Sequence, residues 1–128
     1  MTIDTVIDDL ATNISAAGYP AYIIPAEHVH SATNASFVTI TESDIEAESV
    51  EAYNMYIMTV GIDVEIHAHA SDHESALRVA RSIRDDVISV LNTYTEQQIL
   101  IRRITNAQTE MGQVQYNIEC SLQLPPLT

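Results

Sequence analysis

Lysine is absent from this 128-residue chain, and its five basic side chains are all arginines (Arg78, Arg81, Arg84, Arg102 and Arg103), set against 18 acidic residues. Affinity for duplex nucleic acid comes from neutralising phosphates with Lys and Arg. A formal net charge of −13 therefore argues against sequence-specific duplex binding. Tryptophan is also missing and Phe37 is the sole phenylalanine, so the core must be aliphatic with Tyr in support. Three glycines, Gly18, Gly61 and Gly112, are too few and too scattered to build a phosphate-binding loop. The lone Cys120 permits no intrachain disulfide, and its place in an alternating stretch marks it as a buried, inert thiol. No stretch of about 18 uninterrupted apolar residues is present, which excludes a membrane-spanning helix. Met1-Thr2-Ile3-Asp4 lacks the basic and apolar regions of a secretory signal.

What is abundant is carboxylate. So much negative charge on one small domain costs stability through self-repulsion at low salt. Either a surface of the protein must repel nucleic acid, or the chain works in concentrated salt. At about 1 M salt the screening length is only about 3 Å, and the repulsion nearly vanishes. Loss of Lys with gain of Asp and Glu resembles the composition of proteins from extreme halophiles and points to a high-salt host.

The length suits one domain, residues 1–128, with a single modest core. Ile3, Val6, Ile7, Leu10, Ile14 and Ala17 recur at three- and four-residue steps, which predicts a helix. Thr2 is its expected N-cap, Gly18 its C′ residue, and Pro20 ends it. Short strands are expected over Ala21–Pro25, with Tyr22 and Ile24 on one face, and over Ala35–Glu42. Between them His28-Val29-His30-Ser31 reads as loop. From Glu42 to Ala52, five carboxylates with few large apolar residues read as a long loop or the tip of an extended hairpin.

The clearest strand follows. Met58, Val60, Ile62, Val64, Ile66, Ala68 and Ala70 point one way, while Thr59, Gly61, Asp63, Glu65, His67 and His69 point the other. Gly61 is its expected bend. Ser71-Asp72-His73-Glu74 reads as a capping box, with Ser71 as N-cap, opening a helix that ends at Asn92. Its buried stripe is Ala76, Leu77, Ala80, Ile83, Val87, Val90 and Leu91. Glu74 with Arg78 and Arg81 with Asp85 sit at i,i+4 spacing. A less regular strand over Gln98–Thr105, a connection over Asn106–Gly112 and a strongly alternating strand from Gln113 to Leu124, stopped by Pro125-Pro126, complete the chain. The expected fold is α+β, in the order α-β-β-β-α-β-β. A mainly antiparallel sheet of four to five strands, including a long β-hairpin, is packed on one face by two helices.

Candidates for chemistry are few. His67 and His69 share one strand face with Asp63 and Glu65, and His28 with His30 offers a second pair. Such imidazoles beside carboxylates could hold zinc or another divalent metal, although every residue of that polar face is accounted for without one. No Ser lies in a nucleophile-elbow motif, and the paired acids, Asp63 with Glu65 and Asp85 with Asp86, read as solvated surface. No catalytic set, cofactor or enzyme activity is expected. The acidic stretch carrying Glu42, Asp44, Glu46, Glu48 and Glu51, and the arginines Arg78, Arg81 and Arg84, are the stronger leads. Their separation suggests complementary patches on neighbouring copies, which in a ring meet through two different surfaces.

The run Tyr56-Ile57-Met58-Thr59-Val60-Gly61-Ile62-Asp63-Val64-Glu65-Ile66-His67-Ala68 leads into Ser71-Asp72-His73-Glu74-Ser75-Ala76-Leu77-Arg78-Val79-Ala80. A helix ending in Val87-Ile88-Ser89-Val90-Leu91 follows, then a hairpin whose last strand is Val114-Gln115-Tyr116-Asn117-Ile118-Glu119-Cys120-Ser121-Leu122. This succession resembles the tail terminator and tail completion proteins of long-tailed phages and related archaeal viruses, over nearly the whole chain. The resemblance implies a virion protein, assembled in the host cytoplasm, forming a six-subunit ring at the head-proximal end of the tail tube. That ring would contact the tube protein on one side and a neck or head-closure protein on the other. Genome DNA would pass through its lumen without specific binding. The family's extended hairpin corresponds by position to Glu42–Tyr53. The missing Lys is not a family feature. Alternatives are another neck ring, such as a head-closure or connector protein, a small metal- or ligand-binding α+β domain using His67 and His69, and a dimeric enzyme of ferredoxin-like shape.

Overall fold

A computed structural model of the chain describes residues 3–24, 36–50, 55–94, 99–110 and 112–127, with side chains over 4–24, 36–45, 59–94, 99–106 and 112–122. The expected N-cap Thr2, the strand ends Ala35 and Gln98, Pro25, the His28–His30 pair, and Glu51 with Tyr53 at the hairpin tip lie outside the described residues. So do the side chains of Glu46, Glu48, Met58, Gln123 and Leu124.

The elements are α1 (Ile3–Ala16), β1 (Ala21–Tyr22), β2 (Phe37–Val50), β3 (Met55–His69), α2 (His73–Asn92), β4 (Ile99–Glu110) and β5 (Gln113–Leu127). The fold is α+β, in the expected order of elements. The strands form one mixed sheet in the spatial order β1-β2-β3-β5-β4. Every pair is antiparallel except β1 with β2. The apolar face of the sheet carries both helices. Val6, Leu10 and Ile14 of α1 and Ala76, Ala80, Ile83, Val87 and Leu91 of α2 pack onto Val38, Ile40, Val60, Ile62, Val64, Ile66, Ile118 and Leu122, all of them buried. The alternation of β3 and β5 survives intact, because both are central strands with one face wet. Two phenols fasten α1 and its exit to α2. The Tyr19 hydroxyl donates to Asp86 Oδ2 at 2.7 Å. The Tyr94 hydroxyl donates to Asp9 and accepts from Asn13.

The expected elements needed several corrections. β1 is two residues long, not five; past it Ile23 and Ile24 are exposed. Of the two readings of the acidic stretch, the extended hairpin holds and the loop does not: β2 stays paired with β3 as far as Val50 opposite Met55. The irregularity near Gly61 lies in β2, where Ser43 and Asp44 together oppose Gly61 between the pairs Glu42–Ile62 and Ile45–Val60. A Cβ on Gly61 would run into Ser43 Oγ and crowd the Asp44 backbone N at 3.2 Å, so glycine here admits the bulge of its neighbour.

Helix α2 is capped by Asp72, not Ser71. The Asp72 carboxylate accepts from Ser75 N at 2.8 Å and from Ser75 Oγ at 3.0 Å. An aspartate caps as well as a serine, and moving the start by one residue leaves Glu74 to pair with Arg78 at 2.9 Å. β4 runs to Glu110, so the expected connection shrinks to a turn around Gly112, with φ 81°. Two register irregularities, at Ile101/Arg103 and Gln108/Glu110, explain its weak alternation. β5 continues past Pro125-Pro126 because those residues sit in a register shift opposite Ile57, beyond the pairs β4 makes. There a missing N–H breaks no ladder.

Candidate assembly surfaces

The helix-free face of the sheet is polar and hollow. Register places Thr41, Asp63, Glu119 and Arg103 in one row across β2, β3, β5 and β4. Beside it lies a trough of about 520 Å³, lined chiefly by Ser43, Asp44, Asp63, Glu119, Arg102 and Arg103. Asp63 and Glu119 are direct cross-strand neighbours of like charge. Partial burial, and then the carboxylates of Glu119, Glu65 and Asp44, push the Asp63 carboxyl above its ordinary value. The fold therefore sets Asp63 among like charges, in a trough that Arg102 and Arg103 also line.

The two histidines also lie on this face, but as a packed group. Phe37 stacks on His67 with ring centroids 4.7 Å apart and planes at 15°, and on His69 at 6.2 Å. Tyr22 meets Phe37 edge-on. His67 Nε2 is 3.4 Å from Glu65 Oε2, to which the Thr39 hydroxyl donates at 3.2 Å. Burial lowers the His67 pKa, and Glu65 opposes that shift without cancelling it. Among the described residues no three His, Cys, Asp or Glu side chains converge as a metal cage.

The helical arginines differ in their freedom. Arg78 is paired with Glu74. Arg84 is held by Asp85 at 3.0 Å and lies over the Tyr116 ring, 5.2 Å from its centroid. Asp85 thus goes to Arg84, and the expected Arg81–Asp85 pair is not formed. Arg81 is exposed, with no ion pair among the described residues. The sequence reading gave no role to Arg102 and Arg103, which stand exposed on β4. Their signal was present in Ile99-Leu100-Ile101-Arg102-Arg103-Ile104, where apolar residues occupy both phases of the strand, as an uncovered edge strand can show. Leu100 is 60% and Ile104 42% exposed.

At the opposite edge, β1 covers β2 only at Val38 and Thr39. Glu42, Asp44 and Ile45 are exposed beyond it, Ile45 at 54%. Between this edge and the start of α1 is a notch of about 360 Å³ with Ile7, Ile23 and Ile40 inside and Asp4, Asp8 and Glu42 around it. The sheet thus ends in a basic edge on one side and an acidic edge on the other. The chain matches no protein-family model and no curated protein.

Proposed function

We propose that this chain is a non-catalytic structural subunit that closes into a ring at the end of a viral tail tube and joins the tail to the neck of the capsid. The observation that carries this reading is the sheet whose two edges have no further partner strand among the described residues and differ in charge. A subunit with two different, complementary sides is what a closed head-to-tail array requires. The carboxylates of the helix-free face, which share their trough with Arg102 and Arg103, support a second part of the reading. Lining a lumen, Asp63, Glu65 and Glu119 would repel a passing DNA backbone and keep it from sticking. Cys120 offers no nucleophile at neutral pH, since burial first, then the Asp63 charge, pushes its pKa up to about 12. The absence of Lys and the charge of −13 fit a high-salt host. Six copies, with the tube protein below and a neck or head-closure protein above, complete the proposal.

Native mass measurement and negative-stain imaging of the purified chain, at low salt and in molar KCl, test it. Closed rings with sixfold symmetry are the expected result. A monomer or dimer carrying stoichiometric metal would overturn it.

A further inference from the structure

The contact between copies can be assigned to particular strands, on the footing that the chain assembles at all. We infer that copies join by strand addition, the outer edge of β4 in one copy running along the outer edge of β2 in the next.

Four observations converge on this pairing. First, both ends of the sheet are open. Ten of the twelve residues of β4 pair, all with β5, and β2 beyond Thr39 has only β3, among the described residues. An unpaired edge is a template for another strand, and proteins that stay single blunt it with charged side chains, Pro, bulges or a covering segment. Here β4 carries neither Lys nor Pro, and beside Arg102, Arg103 and its two register irregularities it shows Leu100 and Ile104 to solvent.

Second, charge selects the partner. β4 holds Arg102 and Arg103, while β2 holds Glu42 and Asp44, with Glu46 and Glu48 further along. Pairing β4 with β4, or β2 with β2, sets like charges together, whereas β4 with β2 sets opposites together. A two-fold contact is thereby disfavoured and a head-to-tail contact favoured.

Third, the faces agree. A sheet that continues from copy to copy keeps its helix-covered side on one side throughout. Ile104, opposite Ile118, lies on that side of β4. On the same side of the β2 edge are Ile45, opposite Val60, and the notch holding Ile7 and Ile23. Arg103, opposite Glu119, lies on the other side, as does the trough that Asp44 helps to line. At these positions apolar meets apolar and guanidinium meets carboxylate, while Leu100, opposite Ser121, lies on the trough side and Glu42, opposite Ile62, on the helix side.

Fourth, direction agrees. β2 and β5 run one way, β3 and β4 the other. Rotation about an axis along the strands preserves these directions, so β4 of one copy lies antiparallel to β2 of the next. That arrangement gives a well-formed ladder of perpendicular hydrogen bonds.

The test uses the full chain in molar KCl. Ile104→Cys is combined in one chain with Thr41→Cys, Ser43→Cys or Ile45→Cys in turn, the native Cys120 being buried. On oxidation, at least one combination should give a ladder of disulfide-linked oligomers on a non-reducing gel, while Ile104→Cys alone should not cross-link. A second arm mixes two blocked chains, Leu100→Asp with Ile104→Asp, and Glu42→Arg with Asp44→Arg. Each alone should lose assembly and remain monomeric, and the mixture should stop at one-to-one dimers. If either blocked chain still forms rings, or if Ile104→Cys alone cross-links efficiently, the strand assignment is wrong while the ring reading stands. If the unaltered chain stays monomeric from low to molar KCl and no pair cross-links, both fall.

Discussion

Single side chains hold this molecule in states that titration and labelling can read. Cys120, with a pKa of about 12 and only 3% exposure, should resist thiol reagents in the native protein and react at once after denaturation. Labelling at native rates comparable to those in denaturant would contradict its placement. Tyr94 carries a second consequence. Burial, followed by its bond to Asp9, raises its pKa from an ordinary 10.0 to about 12. A phenol whose folded pKa exceeds its unfolded one contributes stability that is intact below about pH 10 and is lost as pH climbs toward 12. Stability should therefore drop across that window, and Tyr94→Phe, losing about 1 kcal/mol at neutral pH for its hydrogen bonds, should flatten the drop. His67 works in the opposite direction. Its lowered pKa favours the neutral ring in the fold, so its contribution holds above the ordinary value of 6.5 and is lost as pH falls below it.

At the scale of elements, the parts that could be read in the sequence were those whose pattern is set by burial. The stripes of α1 and α2 and the alternation of β3 and β5 each have one face in the core, so period alone located them. The second half of β2 escaped because Glu and Asp disfavour strands, and it is pairing with β3 across the hairpin, from Ile45 with Val60 to Val50 with Met55, that extends it. β4 escaped because two irregularities break its phase. The candidate surfaces divide the same way. The acidic stretch could be read as a projecting hairpin, whereas Arg102 and Arg103 gained meaning only from the sheet order that puts β4 at an edge. Sheet order also accounts for the charge conflict at Asp63, whose neighbour Glu119 lies 56 positions away in the chain. Removing that charge should help the fold. Asp63→Asn should raise the melting temperature at neutral pH, by more at low salt than in molar KCl. An unchanged or lowered melting temperature would count against repulsion as the dominant effect at this site.

For the whole molecule, net charge is the governing quantity. With −13 on 128 residues, melting should shift upward as KCl rises from millimolar to molar, because screening shortens the reach of every repulsive pair. Equal stability across that range would remove the high-salt reading. The open edges add a concentration dependence. If copies join edge to edge, the melting temperature should also rise with protein concentration, since assembly favours the folded chain by mass action.

The bulge at Ser43-Asp44 has a consequence for how the gene can change. It is a spare residue in the reading of the strand: Glu42 and Ile45 already face the same side across it, as they would if only one residue stood between them. A one-codon deletion of Asp44 would leave every β2–β3 pair in phase and let position 61 accept a side chain. The same deletion elsewhere in β2 would turn over all that follows. Length variation in this hairpin is therefore tolerated at one point, and any relative with a shorter β2 should have lost its residue there and be free of the glycine opposite.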